Sequence, residues 1–498
     1  MPTPRVKPVY SKQLKAMLDR AQYLRTLMSK DEWPGLYELL GKFSTFAQGY
    51  IGLLKACPDE ITESRVALKT GIERLLQEWN ILSRACEQRY GAEQEKDPKG
   101  FRHNLREAEK RLQGYCDRWH PLQASEGYSQ LRDPVVYFEK LYGISRALCA
   151  PNIPVVSIPL TDYNAPDRWQ ALAHELGHHI YWNALEIKAA DKLHADLRDA
   201  IAKALKKQKA SRQRMRIWDA WLEEIFADTC GTLLAGFDFA ESAQNLAWNE
   251  TDQVSDLSKD DGEHPCAYVR PRIAIEVLHE IANRSTGSLL KATLLGDGAD
   301  GKGIVGRLEE RWDQCCQQAE ELKRHKTNVT MRDLKVDVPV VVRAILDTPI
   351  WPGEKTLWDL VDWYGQGQAD YDARKLKSLR RRIASDLEPP PAVLRDLSKV
   401  TLPEIDSSRL SPAVLPLWTY LNDQAQESIR EGKFKRKQKS AVVWSLLMEL
   451  QMVETQYWSF PFNLPDPHGW VNGHLFPAHP GHLRGHRSAA ETSFTINP

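Results

Sequence analysis

Apolar positions recur every three to four residues over most of the N-terminal part of the chain, which predicts helix. Leu68, Ile72, Leu75, Leu76, Trp79 and Leu82 form one long stripe. The polar run Gly91 to Gly100, with Pro98 inside it, interrupts the pattern before a second helix through Leu105, Ala108 and Leu112. Residues 10 to 148 therefore read as almost wholly helical: a cap over a cleft, or plain packing. The character changes at Pro151 to Leu160, where β-branched residues stand between prolines. Proline lacks a ladder donor, so this stretch predicts an edge strand, with a buried hairpin strand as the alternative. Helical spacing returns at Trp169, Leu172, Ala173, Leu176 and Ile180, after a start signal at Asn164 to Asp167 that includes Pro166.

Further on, Ile273, Ile275, Val277 and Leu278 predict an amphipathic helix over 265 to 282, and Gly296 to Gly303 a loop. Helices resume through Leu308, Trp312 and Leu322. The stretch Thr327 to Leu346 reads as a short strand at Val336 to Val342 followed by helix. Pro389-Pro390-Pro391 marks a linker, and a helix over Ala441 to Met452 precedes a tail rich in His, Pro and Gly, which reads as a surface tail or an inhibitory plug. The boundaries that follow are 1–148, 149–285, 286–388 and 389–498.

The chemistry concentrates on the helix after the proline-flanked strand. His174 and His178 lie four apart on one helical face, nearly opposite the apolar stripe for His178, so one metal ion can reach both imidazoles. Glu175, rotated about 100° from that face, is placed as a general base toward water. His179 points about 100° from His178 and reads as packing or second layer. A third ligand is needed. Glu224 and Asp228 are also four apart in Trp221 to Gly231, so Glu224 can ligate while Asp228 accepts a hydrogen bond from a ligand histidine. Glu223 is the rival ligand; Glu224 is preferred because it alone has an acidic residue at i+4.

His-Glu-Leu-Gly-His followed by Glu-x-x-Ala-Asp-x-x-Gly resembles the gluzincin metallopeptidases, the thermolysin-like clan. The long interval between His178 and Glu224 is more like the family that includes the CAAX prenyl-protein proteases and their soluble minigluzincin relatives. The segment His264-Pro265 through Arg270 to Ile273 is similar to the His-Pro…Arg-Ile segment that follows the glutamate there. The likeness covers about residues 150 to 285 and does not extend to that family's membrane helices. It implies a zincin-like core with an edge strand that pairs with an extended protein substrate, embedded in helical N- and C-terminal regions of a mainly α chain. It also implies Zn²⁺ held by His174, His178 and Glu224, catalysis by Glu175, and oxyanion donors among His264, Tyr268 and Arg270.

Composition narrows the setting. The 498 residues carry 67 basic and 67 acidic side chains, so no global field draws the chain to nucleic acid or to a membrane. No run of 18 apolar residues occurs, and Met1 to Arg5 begins no signal peptide. The eight cysteines are scattered without a C-x-x-C pair, which reads as reduced thiols in a cytoplasmic protein. Basic clusters at Lys203 to Arg216, Arg374 to Arg382 and Arg430 to Lys439 could meet an acidic partner or nucleic acid. A solvated helix face or mobile loop is the commoner explanation, and the first is also a candidate flap. The expectation is a zinc endopeptidase with narrow specificity or triggered access, acting in stress or defence signalling. A binding protein on a degenerate peptidase fold is the alternative, and a nucleic-acid regulator comes third.

Overall fold

A computed structural model describes residues 6–361, apart from 57–61, 91–100, 120–130, 132, 146–149, 151, 164, 188–189, 250–253, 286–287, 297–302, 325–326 and 352–354. The linker at Pro389, the two later basic clusters, the helix over 441–452 and the histidine-rich tail lie outside the described residues. The described chain is mainly helical with a small sheet. No helix among the described residues is long and apolar enough to cross a membrane.

Four helices open the chain: α1 (Val6–Leu27), α2 (Pro34–Ala56), α3 (Thr62–Tyr90) and α4 (Phe101–Cys116). The stripe predicted on α3 faces inward, with Ile72, Leu75 and Leu82 buried. Helix does not continue to residue 148. Two short strands, β1 (Val135–Glu139) and β2 (Gly143–Ser145), precede β3 (Val155–Pro159), and the sheet order is β1-β3-β2. β3 runs parallel to β1, with Val135 opposite Val155, and antiparallel to β2, with Ile144 opposite Val156.

The proline-flanked stretch is thus the central strand and not an edge. Its prolines sit at its ends, Pro154 just before the strand and Pro159 as its last residue. The residues Val155 to Ile158 between them keep their ladder donors, and all are buried. The edge role falls to β1 and β2. The outer side of β1 is closed by side chains. Gln88 donates through Nε2 to Phe138 O (2.7 Å) and accepts from Phe138 N (2.7 Å). Arg89 donates to Val136 O (2.8 Å), while Glu109, ion-paired to Arg89, accepts from Val136 N (3.1 Å). Helices α3 and α4 therefore satisfy the backbone groups that an edge strand would otherwise offer to another chain.

After two 3₁₀ turns, Leu160–Asp162 and Pro166–Arg168, α5 (Ala171–Ile187) begins, slightly later than its sequence signal. Trp169, Leu172, Ala173, Leu176 and Ile180 are all at most 1% exposed. Next come α6 (Ala190–Lys207), α7 (Arg212–Ala220), α8 (Leu222–Ala235), α9 (Phe237–Asn249) and α10 (Arg270–Arg284). The first basic cluster is helical on both sides of a short turn. Its lysines are exposed, and Arg214 Nε donates to the buried Asp337 carboxylate (2.8 Å). That is a solvated face with one internal anchor, not a flap.

Then follow α11 (Ser288–Leu295), α12 (Ile304–Cys316), α13 (Met331–Asp347), the hairpin β4 (Pro349–Trp351) and β5 (Lys355–Thr356), and α14 (Leu357–Leu360). The strand expected at Val336 to Val342 is helix within α13. A capping box fixes the helix start: Thr330 N donates to Asp333 Oδ2 (2.9 Å) and Asp333 N to Thr330 Oγ1 (3.1 Å). Leu334, Val338, Val341, Val342 and Ile345 are buried at helical spacing. Periodicity and the cap outweigh the β propensity of five valines.

The helices α5 and α8 cross on small residues. A Cβ built on Gly177 would meet Ala227 Cα at 2.7 Å and Ala227 O at 2.9 Å. One on Gly231 would meet His174 N at 3.1 Å and His174 Cα at 3.2 Å. Gly177→Ala should therefore destabilise. The helix-propensity gain of roughly 0.5–1 kcal/mol is outweighed by overpacking of about 1–3 kcal/mol against backbone that cannot rotate away. Gly49→Ala, at an exposed position of α2 with nothing near its Cβ position, should stabilise by up to about 1 kcal/mol. Urea denaturation of both variants checks the contrast; equal effects would remove the close crossing as the cause.

Candidate metal centre

The α5–α8 crossing sets the first turn of α8 against the histidine face of α5. The rings of His174 and His178 stand edge to face, centroids 4.7 Å apart at 89°. Their Nε2 atoms are 3.1 Å apart. Glu224 lies across from both, with Oε2 3.4 Å from His174 Nε2 and Oε1 3.4 Å from His178 Nε2. Ligand atoms held about 2.0–2.1 Å from a tetrahedral ion are separated by roughly 3.3–3.4 Å. The triangle observed here has nearly those sides. Among the described residues these three form the one group able to hold a metal ion.

The outer nitrogens explain why the inner ones converge. His174 Nδ1 is 2.9 Å from Asp228 Oδ1, and His178 Nδ1 is 3.2 Å from Glu223 Oε1. An ionised carboxylate only accepts, so each Nδ1 carries a proton, and with a metal ion bound each Nε2 would offer its lone pair. Two lone pairs and a carboxylate facing one point repel each other unless positive charge lies between them. The protonation equilibria show the same demand. Burial opposes charge on His174, but hydrogen bonds to Asp228 and Glu224 overcome it and push the imidazole up to about 10. Burial alone would raise Glu224, yet His178, His174 and Arg270 bring it well below the usual carboxylate range. A divalent cation meets that demand with both histidines neutral.

Asp228 is 1% exposed and takes Arg270 Nε at 3.1 Å and Nη2 at 2.9 Å. Burial disfavours its charge, and Arg270 together with His174 more than offsets this, so it stays ionised below the ordinary range. Arg270 Nη2 also comes within 3.4 Å of the His174 ring nitrogens and 3.8 Å of Glu224 Oε2.

Of the other residues singled out in the sequence, His264 is brought to the cluster. Its Nε2 is 3.4 Å from Glu224 Oε1, and its Nδ1 is 2.6 Å from Asp261 Oδ2. Asp261 Oδ1 also accepts from His264 N (2.7 Å), so the Asp261 turn fixes that imidazole. Glu175, 7% exposed, lies on the sheet side of α5, where its charge acts on Tyr137 of β1 and on Tyr142 ahead of β2. Tyr268 is not drawn in. Its ring lies under the Arg272 guanidinium (4.5 Å), two residues round α10 from Arg270, and its hydroxyl is buried. Arg270 and Arg272, two apart in α10, lie about 200° from each other round the helix, so the Arg272 that covers Tyr268 faces away from the cluster. His179 is fully buried.

Three contacts were not anticipated. Glu223, read as a rival ligand, instead meets the outer nitrogen of His178. Trp182, one turn beyond His178, donates Nε1–H to Glu223 Oε1 (3.0 Å). Phe239 of α9 stacks on His174 (6.4 Å, 10°). Two adjacent acids at a helix start point about 100° apart, so Glu223 and Glu224 could serve different atoms; that was the available signal.

Glu224→Ala leaves two imidazoles, and metal content measured by atomic emission should fall to near zero. Asp228→Asn should weaken affinity by about 10–100-fold in a chelator competition, because the amide no longer fixes the His174 proton and leaves Arg270 uncompensated. Full metal retention by Glu224→Ala would exclude it as a ligand. Compared with protein-family models, curated proteins and solved structures, the chain matches none of them.

Proposed function

We propose that this chain is a zinc-dependent endopeptidase with a zincin-like core of gluzincin type, cutting a protein substrate bound in extended form. The observation that carries the reading is the convergence of His174 Nε2, His178 Nε2 and Glu224 on one point, on the helix that also presents Glu175. The donor set, two neutral imidazoles and one carboxylate at tetrahedral spacing, suits zinc with one position left for substrate. When bound, zinc would acidify water and polarise the scissile carbonyl.

This chain's own residues do the rest. Glu175 accepts the proton of the attacking water and returns it to the departing amine. His264, held by Asp261 on the exposed rim, donates to the oxygen that gains charge, and Arg270 adds positive charge from behind Glu224. β2 packs beside α5 as the antiparallel edge of the sheet, so an extended substrate would add there, β1 being closed by Gln88, Arg89 and Glu109. The free thiols of Cys86, Cys116, Cys230, Cys266, Cys315 and Cys316 suit a reducing, cytoplasmic setting. There an unrestrained endopeptidase would damage its host, which favours one regulated substrate over general digestion.

Glu175→Gln tests the chemistry apart from binding. The variant should keep zinc content and thermal stability near wild type while peptide cleavage falls by about 10²–10⁴-fold or more. It should also retain its substrate uncut, which makes it the bait for identifying that substrate. Wild-type turnover by zinc-loaded Glu175→Gln would sink the mechanism, and a zinc-loaded wild type that cuts no peptide in a broad library would favour the binding-protein alternative.

A further inference from the structure

We infer that Trp182 and Glu223 form a brace that positions His178, and that this brace sets how tightly the centre holds its metal; the inference rests on the metal-centre reading above. Glu223 Oε1 meets two hydrogen-bonding partners at once, His178 Nδ1 at 3.2 Å and Trp182 Nε1 at 3.0 Å. One oxygen is thereby held from two sides, and its carboxylate cannot swing toward Glu224's place without giving up both bonds. Trp182 acts on His178 a second way. Its ring lies 5.9 Å from the imidazole at 32°, one turn further along the same face of α5, so it restricts rotation of the His178 ring plane.

The two histidines are thus oriented by unlike devices. Asp228 reaches His174 from α8 and is itself gripped by Arg270, a charged clamp from α10. Glu223 reaches His178 from the first turn of α8 and is gripped by an indole from α5 itself. Both helices of the crossing contribute to the Glu223 brace, so it forms only when α5 and α8 are docked. An imidazole whose proton is fixed on Nδ1 presents Nε2 as a lone pair with no tautomer to rearrange before binding. Loss of the brace leaves that ring free to present the wrong nitrogen for part of the time, and affinity falls by that fraction.

Glu223 and Trp182 are positioning residues in this account, not ligands, and the test separates the two roles. The full chain, stripped of metal, is titrated with zinc against a chromophoric chelator, and the cobalt(II)-loaded form is examined by visible absorption. Glu223→Gln keeps the acceptor oxygen without the charge and should bind zinc about 10–100-fold more weakly, and Glu223→Ala more weakly still. Trp182→Phe should give a smaller loss, and in the Glu223→Gln background it should cost less than it does alone, because both act through one oxygen. The thermal midpoint of the metal-free variants should stay near wild type, and the cobalt spectra should keep the intensity of a four-coordinate ion.

Unchanged zinc affinity in both Glu223→Gln and Trp182→Phe, with wild type binding tightly, overturns the brace alone. Loss of all binding in Glu223→Ala, with a cobalt spectrum in Glu223→Gln that shows a ligand missing, overturns it in favour of ligation by Glu223. A wild type that binds no zinc removes the metal centre and the brace together.

Discussion

Everything in the centre depends on how closely α5 and α8 approach. Gly177 and Ala227 let the two backbones touch, and Gly231 does the same one turn away beneath His174. Only that spacing carries Glu224 to within 3.4 Å of both imidazoles. A larger side chain at either glycine would widen the crossing by more than the tolerance of a metal site, whose ligand distances vary by about 0.2 Å. The small residues inside the two motifs are therefore as much a part of the site as the ligands. They contribute no chemistry; they set the distance at which the chemistry becomes possible.

That closeness has an electrostatic consequence. Glu223, Glu224 and Asp228 crowd around two histidines in a mostly buried volume, with Arg270 the cation that reaches Asp228. Taking such groups out of water is costly, and the arrangement is tenable only if further positive charge is supplied. Protonated histidine can supply it, which is why His174 is held up to about 10 by the neighbouring acids. A metal ion would supply it better, because it would lie where all three donor atoms point. The same residues form the helix contact and the group able to hold an ion, so a cation bound there would also stabilise the docked helices.

Much of the centre was legible because it is written in helical arithmetic. Two residues four apart share a face whatever the rest of the chain does, and both His174/His178 and Glu224/Asp228 follow that rule. The apolar stripe on α5 was legible for the same reason. What escaped depended on partners distant in sequence. Prolines around Val155 to Ile158 suggested an edge, but whether a strand lies at an edge is decided by its neighbours, and β1 and β2 were hidden in a region read as helix. Short strands of three to five residues carry too few positions for a period of two to stand out. The valines of α13 misled in the opposite direction, since local propensity there is overruled by burial at helical spacing. Tyr268 was grouped with Arg270 by nearness in sequence, and the turn into α10 sends it to Arg272 instead.

The sheet correction bears directly on access to the centre. A central β3 has both ladders occupied and can accept no further strand, while the outward groups of β1 are taken by Gln88, Arg89 and Glu109. Evolution of an exposed edge usually means blunting it against aggregation. Here the edge far from α5 is closed with three buried or half-buried side chains. The antiparallel strand β2, short enough to resist self-association, lies beside the helix that carries Glu175. The two edges are treated differently because they face different neighbours: α3 and α4 on one side, the histidine helix on the other. An asymmetry of this kind gives a reason for a sheet so small to be kept in a chain that is otherwise helical. Through β1 the sheet anchors the N-terminal helices, and through β2 it packs beside the histidine helix.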